Sequence, residues 1–324
     1  VILAAGKLFE KKMNDLIKGI ASIENLNAAW QRVYENQGCR GSDGITIERF
    51  GLSLEQNLSS LSHALLSRRY HPYPLLRFAI PKRKAKGVRF LSVPTVRDRV
   101  AQSAAFLATR EIFEAEFEDV SHAYREGRGV LTAVAEIKKW RDKGYRYAVD
   151  ADIDAYFDSV PHDLLLQKLG KLLPDPATLR LFEKWIKAEI YDGARIWTLE
   201  QGIPQGSVVS PVLANLFLDE LDETLLSFGK KIVRFADDFL ILSKKEVEAQ
   251  EDIELTDMIL DDMKLDLNPL KTKIVSFDRG FKFLGAVFLY DDVYLPFPEK
   301  RPEPPPPKLP PPLSLMRYLE LRNK

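Results

Sequence analysis

The sequence offers little of what usually gives a site away by residue type. In 324 residues there are one cysteine, Cys39, and four histidines, His63, His71, His122 and His162. A lone thiol excludes an internal disulfide and a cysteine-rich zinc site, and none of the histidines has metal-ligand company. A net charge of either sign is also missing, because 47 basic residues balance 47 acidic ones. No apolar run reaches the roughly 20 residues that a bilayer-spanning helix needs. The opening Val1-Ile2-Leu3-Ala4-Ala5 is too short for a secretory hydrophobic region, and no basic stretch precedes it. These absences predict a cytoplasmic protein without membrane contact. The first residue is not methionine, which reads as a fragment of a longer chain.

What is present is an ordinary folded composition, 45% hydrophobic, in a chain long enough for two compact subregions. The charges are segregated. Between Arg68 and Arg99 ten basic residues face one acid, Asp98, and between Glu246 and Asp266 nine acids face Lys264. Solvated surface patches would carry the same charges. Tyr70, Tyr73, Phe78 and Phe90 interleave with the basic run, however, and that combination points to nucleic acid.

Apolar spacing predicts helices over residues 8–36, 52–66, 95–117 and 131–140, with Gly38–Gly44 a loop between the first two. Residues 77–93 read as two strands around a basic turn, Lys84-Ala85-Lys86-Gly87. Residues 145–153 alternate as a strand, and Pro161 opens a further helix. After the loop 202–211, Ser210 suits an N-cap with Pro211 behind it, and Leu213, Phe217, Leu221 and Leu225 form an apolar stripe. Residues 232–236 and 239–242 are strand-like, which leaves Asp237 and Asp238 as a two-residue hairpin turn. An acidic helix and the strands 273–277 and 281–288 follow. From Pro298 to Pro312 every residue except Leu309 is proline or charged, predicting an extended linker. Helices and hairpins without regular βα alternation make the class α+β.

Two acidic places fall at strand ends. One is the run Asp150-Ala151-Asp152-Ile153-Asp154-Ala155-Tyr156-Phe157-Asp158, the other Asp237-Asp238. Aspartate is a common turn residue, so the second place alone is an acidic turn. Two carboxylate clusters flanked by apolar strands are also what a pair of magnesium ions needs. Such ions take a few carboxylates plus phosphate oxygens, and about 4 Å apart they serve both oxygens of a phosphoryl transfer. Alternation puts Asp150, Asp152 and Asp154 on one strand face, so pattern alone does not choose among them.

With these residues in view, the chain resembles reverse transcriptases. Phe235-Ala236-Asp237-Asp238 looks like the Tyr-x-Asp-Asp motif with Phe for Tyr. Asp152 followed five residues later by Phe157 resembles the first catalytic motif. Gln205-Gly206-Ser207-Val208-Val209-Ser210-Pro211 matches Gln-Gly-x-x-x-Ser-Pro. Ile80-Pro81-Lys82 and Val88-Arg89-Phe90-Leu91-Ser92-Val93-Pro94-Thr95 resemble the fingers motifs. Residues 268–273 and Phe283-Leu284-Gly285 match the motifs that close the palm. They stand in family order over residues 40–288.

The resemblance implies a right-hand polymerase with fingers and an antiparallel palm sheet packed on helices, the thumb absent or reduced. It divides the chain into an N-terminal helical segment (1–36), fingers (37–144), palm (145–290, with inserted helices in 145–200) and a proline-rich linker and tail (291–324). Asp152, Ile153, Asp237 and Asp238 would hold two Mg2+ ions, with Mn2+ a substitute. Lys82 and Arg89 would grip the incoming triphosphate, the Arg as a planar fork and the Lys as a point charge. Phe157 would exclude a 2′-hydroxyl by size. Gln205 would contact the nucleotide, Gly206 would let backbone approach closely, and Lys271, or else Lys273, would protonate pyrophosphate. The implied substrates are an RNA template, a DNA or RNA primer and deoxynucleoside triphosphates.

Gly41-Ser42-Asp43-Gly44-Ile45-Thr46, Ser121-His122-Ala123-Tyr124-Arg125 and Pro161-His162-Asp163-Leu164-Leu165 are similar to prokaryotic enzymes of the group II intron lineage. Phe90 departs from the proline usual there, and a proline-rich stretch stands where a helical thumb should begin. That arrangement resembles CRISPR-associated reverse transcriptases fused to the adaptation integrase, which predicts an integrase partner in cis or in complex. An intron-type enzyme, an RNA-dependent RNA polymerase and a non-catalytic RNA-binding adaptor stay open as alternatives.

Overall fold

Ser22 divides the expected N-terminal helix, because its hydroxyl accepts the Asn25 amide at 3.2 Å and starts a new helix there. The computed structural model describes residues 16–81, 87–295, 309 and 312–322, so the basic turn and nearly all of the proline-rich stretch lie outside the described residues. In chain order come α1 (Leu16–Ala21), α2 (Ile23–Asn36), α3 (Ile47–Gly51), α4 (Leu54–Leu66), β1 (Leu75–Pro81) and β2 (Val88–Val93). Then follow α5 (Val96–Glu116), α6 (Val130–Asp142), β3 (Tyr147–Asp152), α7 (Tyr156–Ser159), α8 (His162–Leu172), α9 (Pro176–Ile186), β4 (Glu189–Tyr191) and β5 (Ile196–Thr198). The remainder is α10 (Ser210–Ser227), β6 (Lys231–Phe235), β7 (Asp238–Ser243), α11 (Glu246–Asp262), β8 (Lys273–Ser276), β9 (Phe281–Phe283), β10 (Ala286–Leu289), β11 (Asp292–Tyr294) and α12 (Leu315–Arg322).

Two compact units interleave along the chain, one of residues 1–113, 162–210 and 305–324, the other of 114–161 and 211–304. The first holds a four-stranded sheet of order β2-β1-β4-β5, in which β1 pairs antiparallel with β2 and parallel with β4. Asp98, the lone acid of the basic run, is fully buried here and accepts from the Tyr70 hydroxyl (2.7 Å), the Tyr73 amide (2.9 Å) and the Thr95 hydroxyl (2.7 Å). A buried carboxylate is tolerated only with such partners. Asp175 caps α9 from the Ala177 amide at 3.0 Å, with Pro176 as the first helical residue.

The second unit is built on an antiparallel sheet of order β6-β7-β3-β8 and a smaller one of order β11-β10-β9. The segment expected as one strand over 281–288 is therefore a hairpin, turned at Leu284 and Gly285, both with positive φ. Ala133, Val134 and Ile137 of α6 pack with Ala148, Val233, Leu240, Phe277, Phe281 and Phe288 in one core. The α10 stripe of Leu213, Phe217, Leu221 and Leu225 is buried as its spacing predicts. Among the described residues no helix is long and apolar enough to cross a membrane.

Candidate active site

The second unit brings the acidic strand ends together. On β3, Ala148, Val149 and Ala151 are buried while Asp150 and Asp152 reach the surface. Asp152 stands directly opposite Asp238 on β7, and Asp150 opposite Lys273 on β8. Side chains directly opposite on one sheet face lie about 5 Å apart at Cβ, close enough for like charges to repel.

The hairpin turn differs from the expectation by one residue. Phe235 pairs with Asp238, so the turn is Ala236-Asp237 and Asp238 begins β7. Tight hairpins need a positive φ in the turn to match the strand twist, and Ala236 supplies it at 60°. Asp238 is thereby fixed by ladder pairing and Asp237 by the turn. Burial, then Asp152, raises the Asp237 carboxyl above its ordinary range. Burial, then Asp237, Asp152 and Asp150, pushes Asp238 up to about 6.

A loop from the far side completes the cluster. The Asn268 amide donates to the Asp152 carbonyl at 2.8 Å and the Asp154 amide to the Asp266 carbonyl at 2.9 Å, flanking a bridge between Ile153 and Leu267. In that antiparallel pattern Ile153 directs its own carbonyl to the opposite side, that of β7. The Asn268 side chain donates to Asp154 at 3.0 Å. Lys271 Nζ donates to Asp152 Oδ2 at 2.6 Å, a bond that raises the lysine's pKa, and Lys273 Nζ lies 3.7 Å from Asp150.

Among the described residues no group of three Asp, Glu, His or Cys side chains closes on one metal position, and Asp152 is bonded to Lys271. The donor chemistry nonetheless fits a hard divalent cation. It comprises three carboxylates and a neighbouring backbone carbonyl, without sulfur or imidazole. Burial first, then the neighbouring aspartates, raises Asp237 and Asp238, a penalty on charge that a cation relieves.

Past Asp152 the chain turns at Ala155, in the left-handed region at φ 44°. Tyr156 is buried, with its hydroxyl donating to the Ala214 carbonyl at 2.6 Å, and Phe157 is half-buried beside it at 5.6 Å between ring centroids.

Of the other nucleotide-contact candidates, Arg89, Gln205 and Gly206 fall in the first unit. Lys82 lies outside the described residues. Arg89 is exposed on β2 opposite Ile80. Ser92 N donates to the Gln205 carbonyl at 2.7 Å, and at Gly206, φ 107°, a Cβ would stand 3.2 Å from the Ser92 carbonyl. The backbone that approaches this glycine is therefore that of β2. Ser210 does not cap α10, since its hydroxyl donates to the Pro204 carbonyl at 2.7 Å and closes the loop. Gln102 is a site residue that sequence reasoning missed. Its Oε1 accepts the Ser207 hydroxyl at 2.9 Å and the Val208 amide at 2.8 Å.

Also missed was a buried cluster beside the Ala236-Asp237 turn. Arg234 and Asp222 are both 0% exposed and Asn215 is 1% exposed. Arg234 Nε donates to Asp222 Oδ1 at 2.8 Å and Nη2 to Oδ2 at 2.5 Å, while Nη1 reaches Asn215 Oδ1 (3.0 Å) and the Ala236 carbonyl (3.2 Å). Burial lowers and Asp222 raises the Arg234 pKa, with a net upward shift. A charged residue inside a strand carries no sequence signal of such a role.

Comparison with known proteins gives a consistent picture. A family profile described as reverse transcriptase (RNA-dependent DNA polymerase) matches residues 80–288. Protein YkfC of Escherichia coli (strain K12) is 30% identical over 85% of this chain and 82% of its own length. Group II intron-encoded protein LtrA of Lactococcus lactis subsp. cremoris is 32% identical over 64% of this chain, which spans 34% of LtrA. Among solved structures, telomerase from Candida tropicalis with a TWJ fragment of telomeric RNA has the same fold at TM-score 0.55, with 13% identity, over 75% of this chain and 48% of its own. A chain of a partial Cas6-RT-Cas1–Cas2 complex is 26% identical, with TM-score 0.47, over 76% of this chain and 42% of its own.

Proposed function

The chain belongs to the reverse transcriptase (RNA-dependent DNA polymerase) family, and from that premise we propose that Asp152, Asp237 and Asp238 form its polymerase centre. The enzyme is an RNA-directed DNA polymerase of the group II intron-like kind, with an α+β fold of the fingers-and-palm type. The observation that carries the assignment of the centre is the pairing of Asp152 with Asp238 across β3 and β7, with Asp237 on the adjoining turn and Lys271 on Asp152.

In this reading residues 37–144 are the fingers and 145–290 the palm, whose acidic strands lie in the second unit. Asp152, the Ile153 carbonyl, Asp237 and Asp238 would hold two Mg2+ ions, which Mn2+ could replace. Bound there, the ions would supply charge stabilisation for the attacking and leaving oxygens. The primer 3′-oxygen bonds to the α-phosphorus as the bond to pyrophosphate breaks, and the hydroxyl proton leaves to solvent. Lys271, which bonds Asp152, would give its ammonium proton to pyrophosphate. Lys82 and Arg89 hold the triphosphate, Gln205 with Gly206 lines the nucleotide, and Phe157 excludes the 2′-hydroxyl. Primer extension on an RNA template with deoxynucleotides and Mg2+ tests the centre. Asp237→Asn with Asp238→Asn should lower kcat by about 10³-fold or more, as for removal of groups that act as a unit. Extension at the parent rate would overturn the assignment.

We further propose that this enzyme makes cDNA for CRISPR spacer acquisition from RNA, with an adaptation integrase in cis or in complex. The proline-rich run 298–312 after the palm motifs supports that placement. An integrase encoded beside it would agree, and a maturase segment would favour the intron-type reading.

A further inference from the structure

We infer that the buried Arg234–Asp222–Asn215 cluster is a positioning device for the polymerase turn, tying it to the segment 120–125. The inference rests on the assignment of Asp237 and Asp238 as metal-holding groups and extends it to residues that never meet substrate.

The argument begins with cost. Burying a guanidinium and a carboxylate costs several kcal/mol per ion, and their attraction alone often does no better than an apolar pair. An ion pair at 0% exposure on both sides therefore calls for a use beyond stability. Its geometry supplies one. Arg234 spends Nε and Nη2 on Asp222, which locks the plane of the guanidinium and leaves Nη1 aimed at two acceptors. One is the carbonyl of Ala236, the turn residue before Asp237, at 3.2 Å. The other is Asn215 Oδ1 at 3.0 Å, and Asn215 Nδ2 in turn donates to the Ala123 carbonyl at 2.7 Å.

The backbone repeats the connection. Arg234 N donates to the Val120 carbonyl at 2.8 Å, and His122 N donates to the Arg234 carbonyl at 2.9 Å. The turn is thus held from below through one continuous chain of bonds, Ala236 to Arg234 to Asn215 to Ala123. It needs holding, because Ala236 sits at φ 60°, the left-handed region that a residue with a Cβ disfavours. Tyr124, next to Ala123, is likewise at φ 60° and is exposed, so two strained backbones meet the same buried cluster. Strain persists where surrounding bonds over-determine it. Supporting bonds of this kind set the orientation of metal-holding groups, and their loss costs about 10–100-fold in affinity or activity.

The test uses the full chain and Mn2+ alone, with free Mn2+ read by electron paramagnetic resonance. Hydrogen exchange at the amides of residues 236–238 is followed in parallel. Asn215→Leu keeps the Arg234–Asp222 pair but cuts the link to Ala123. It should raise the Mn2+ dissociation constant about tenfold, speed exchange at the turn, and lower kcat with the primer-template KM unchanged. Arg234→Lys keeps the charge yet cannot reach all three partners, and should shift Mn2+ binding in the same direction. If both variants lose only thermal stability while Mn2+ binding and turn exchange match the parent, the cluster is scaffold and the inference is overturned. Asp237→Asn with Asp238→Asn separates the two claims. If that variant binds Mn2+ like the parent, the polymerase centre itself is misassigned. If it binds more weakly while Asn215→Leu binds as the parent does, only the positioning role fails.

Discussion

At the scale of single residues, the chemistry is carried by groups whose surroundings sort them. Four aspartates crowd residues 150–158, and the register singles out Asp152 as the one opposite Asp238, while Asp154 is tied to Asn268 and Asp158 is exposed. Phe157 differs from its neighbour in the same way. Tyr156 is core, bonded through its hydroxyl, whereas Phe157 is only half-buried, and the proposed function sets its open side against the sugar. Truncating it should remove the barrier to a 2′-hydroxyl without touching the carboxylates. Phe157→Ala or Phe157→Val should therefore raise the ribonucleotide to deoxynucleotide ratio of kcat/KM by about 10–100-fold, the range one steric contact commands. Unchanged sugar discrimination in single-nucleotide extension assays would remove Phe157 from that role. The five-residue spacing from Asp152 is what makes Phe157 a candidate in the sequence. Arg234 and Gln102 were not legible there, because a buried hydrogen-bonding role depends on partners 12 and 105 residues away.

At the scale of elements, the lesson is one of register. Strands and long helices were legible from their periodicity, and the apolar stripe of α10 is buried as its spacing required. The hairpin turn was displaced by one residue because aspartate advertises a turn, whereas an alanine held at positive φ advertises nothing. The strands β4 and β5 escaped notice, since three residues each are too few to show alternation. Buried polar positions of α10 also escaped it. Asp219 is 4% exposed, accepts the Glu118 amide at 3.2 Å, and is pushed up to about 7 by burial and then by Asp222 and Glu223. Its folded pKa lies above its unfolded one near 4. Between those values the folded chain binds the extra proton, so stability falls as pH rises through this window and stays low above pH 7. Asp219→Asn retains an oxygen for the Glu118 amide and removes the buried charge. It should raise stability at pH 8 by on the order of 1 kcal/mol and give little gain at pH 4. Thermal melts at the two pH values check this, and a gain that is larger at pH 4 would contradict it.

At the scale of the whole molecule, the balanced charge conceals a segregated basic run proposed to meet nucleic acid, and salt dependence tests it. In the first unit Arg77 stacks 4.3 Å from the Phe90 ring and Arg97 lies 4.8 Å from that of Tyr70, arranging cations and aromatics together. Both Tyr73 and Phe90 keep nearly half of their surface open. The acidic counterpart is largely a helix with its own partners. In α11, Asp252 accepts the Ser243 hydroxyl at 2.6 Å and pairs with Lys230 at 2.5 Å. A neutral chain built this way should still bind primer-template by counterion release, its log affinity falling linearly with log salt concentration. Lys84 and Lys86 stand in the basic turn read from the sequence, so Lys84→Ala with Lys86→Ala should reduce the magnitude of that slope by about one to two. Glu251→Gln with Glu254→Gln, on the acidic helix, should leave it as it was. The two variants change net charge in opposite directions by equal amounts. A slope that follows net charge in both would mean the whole surface is sensed, whereas a change in the lysine variant alone locates the nucleic acid on the basic run.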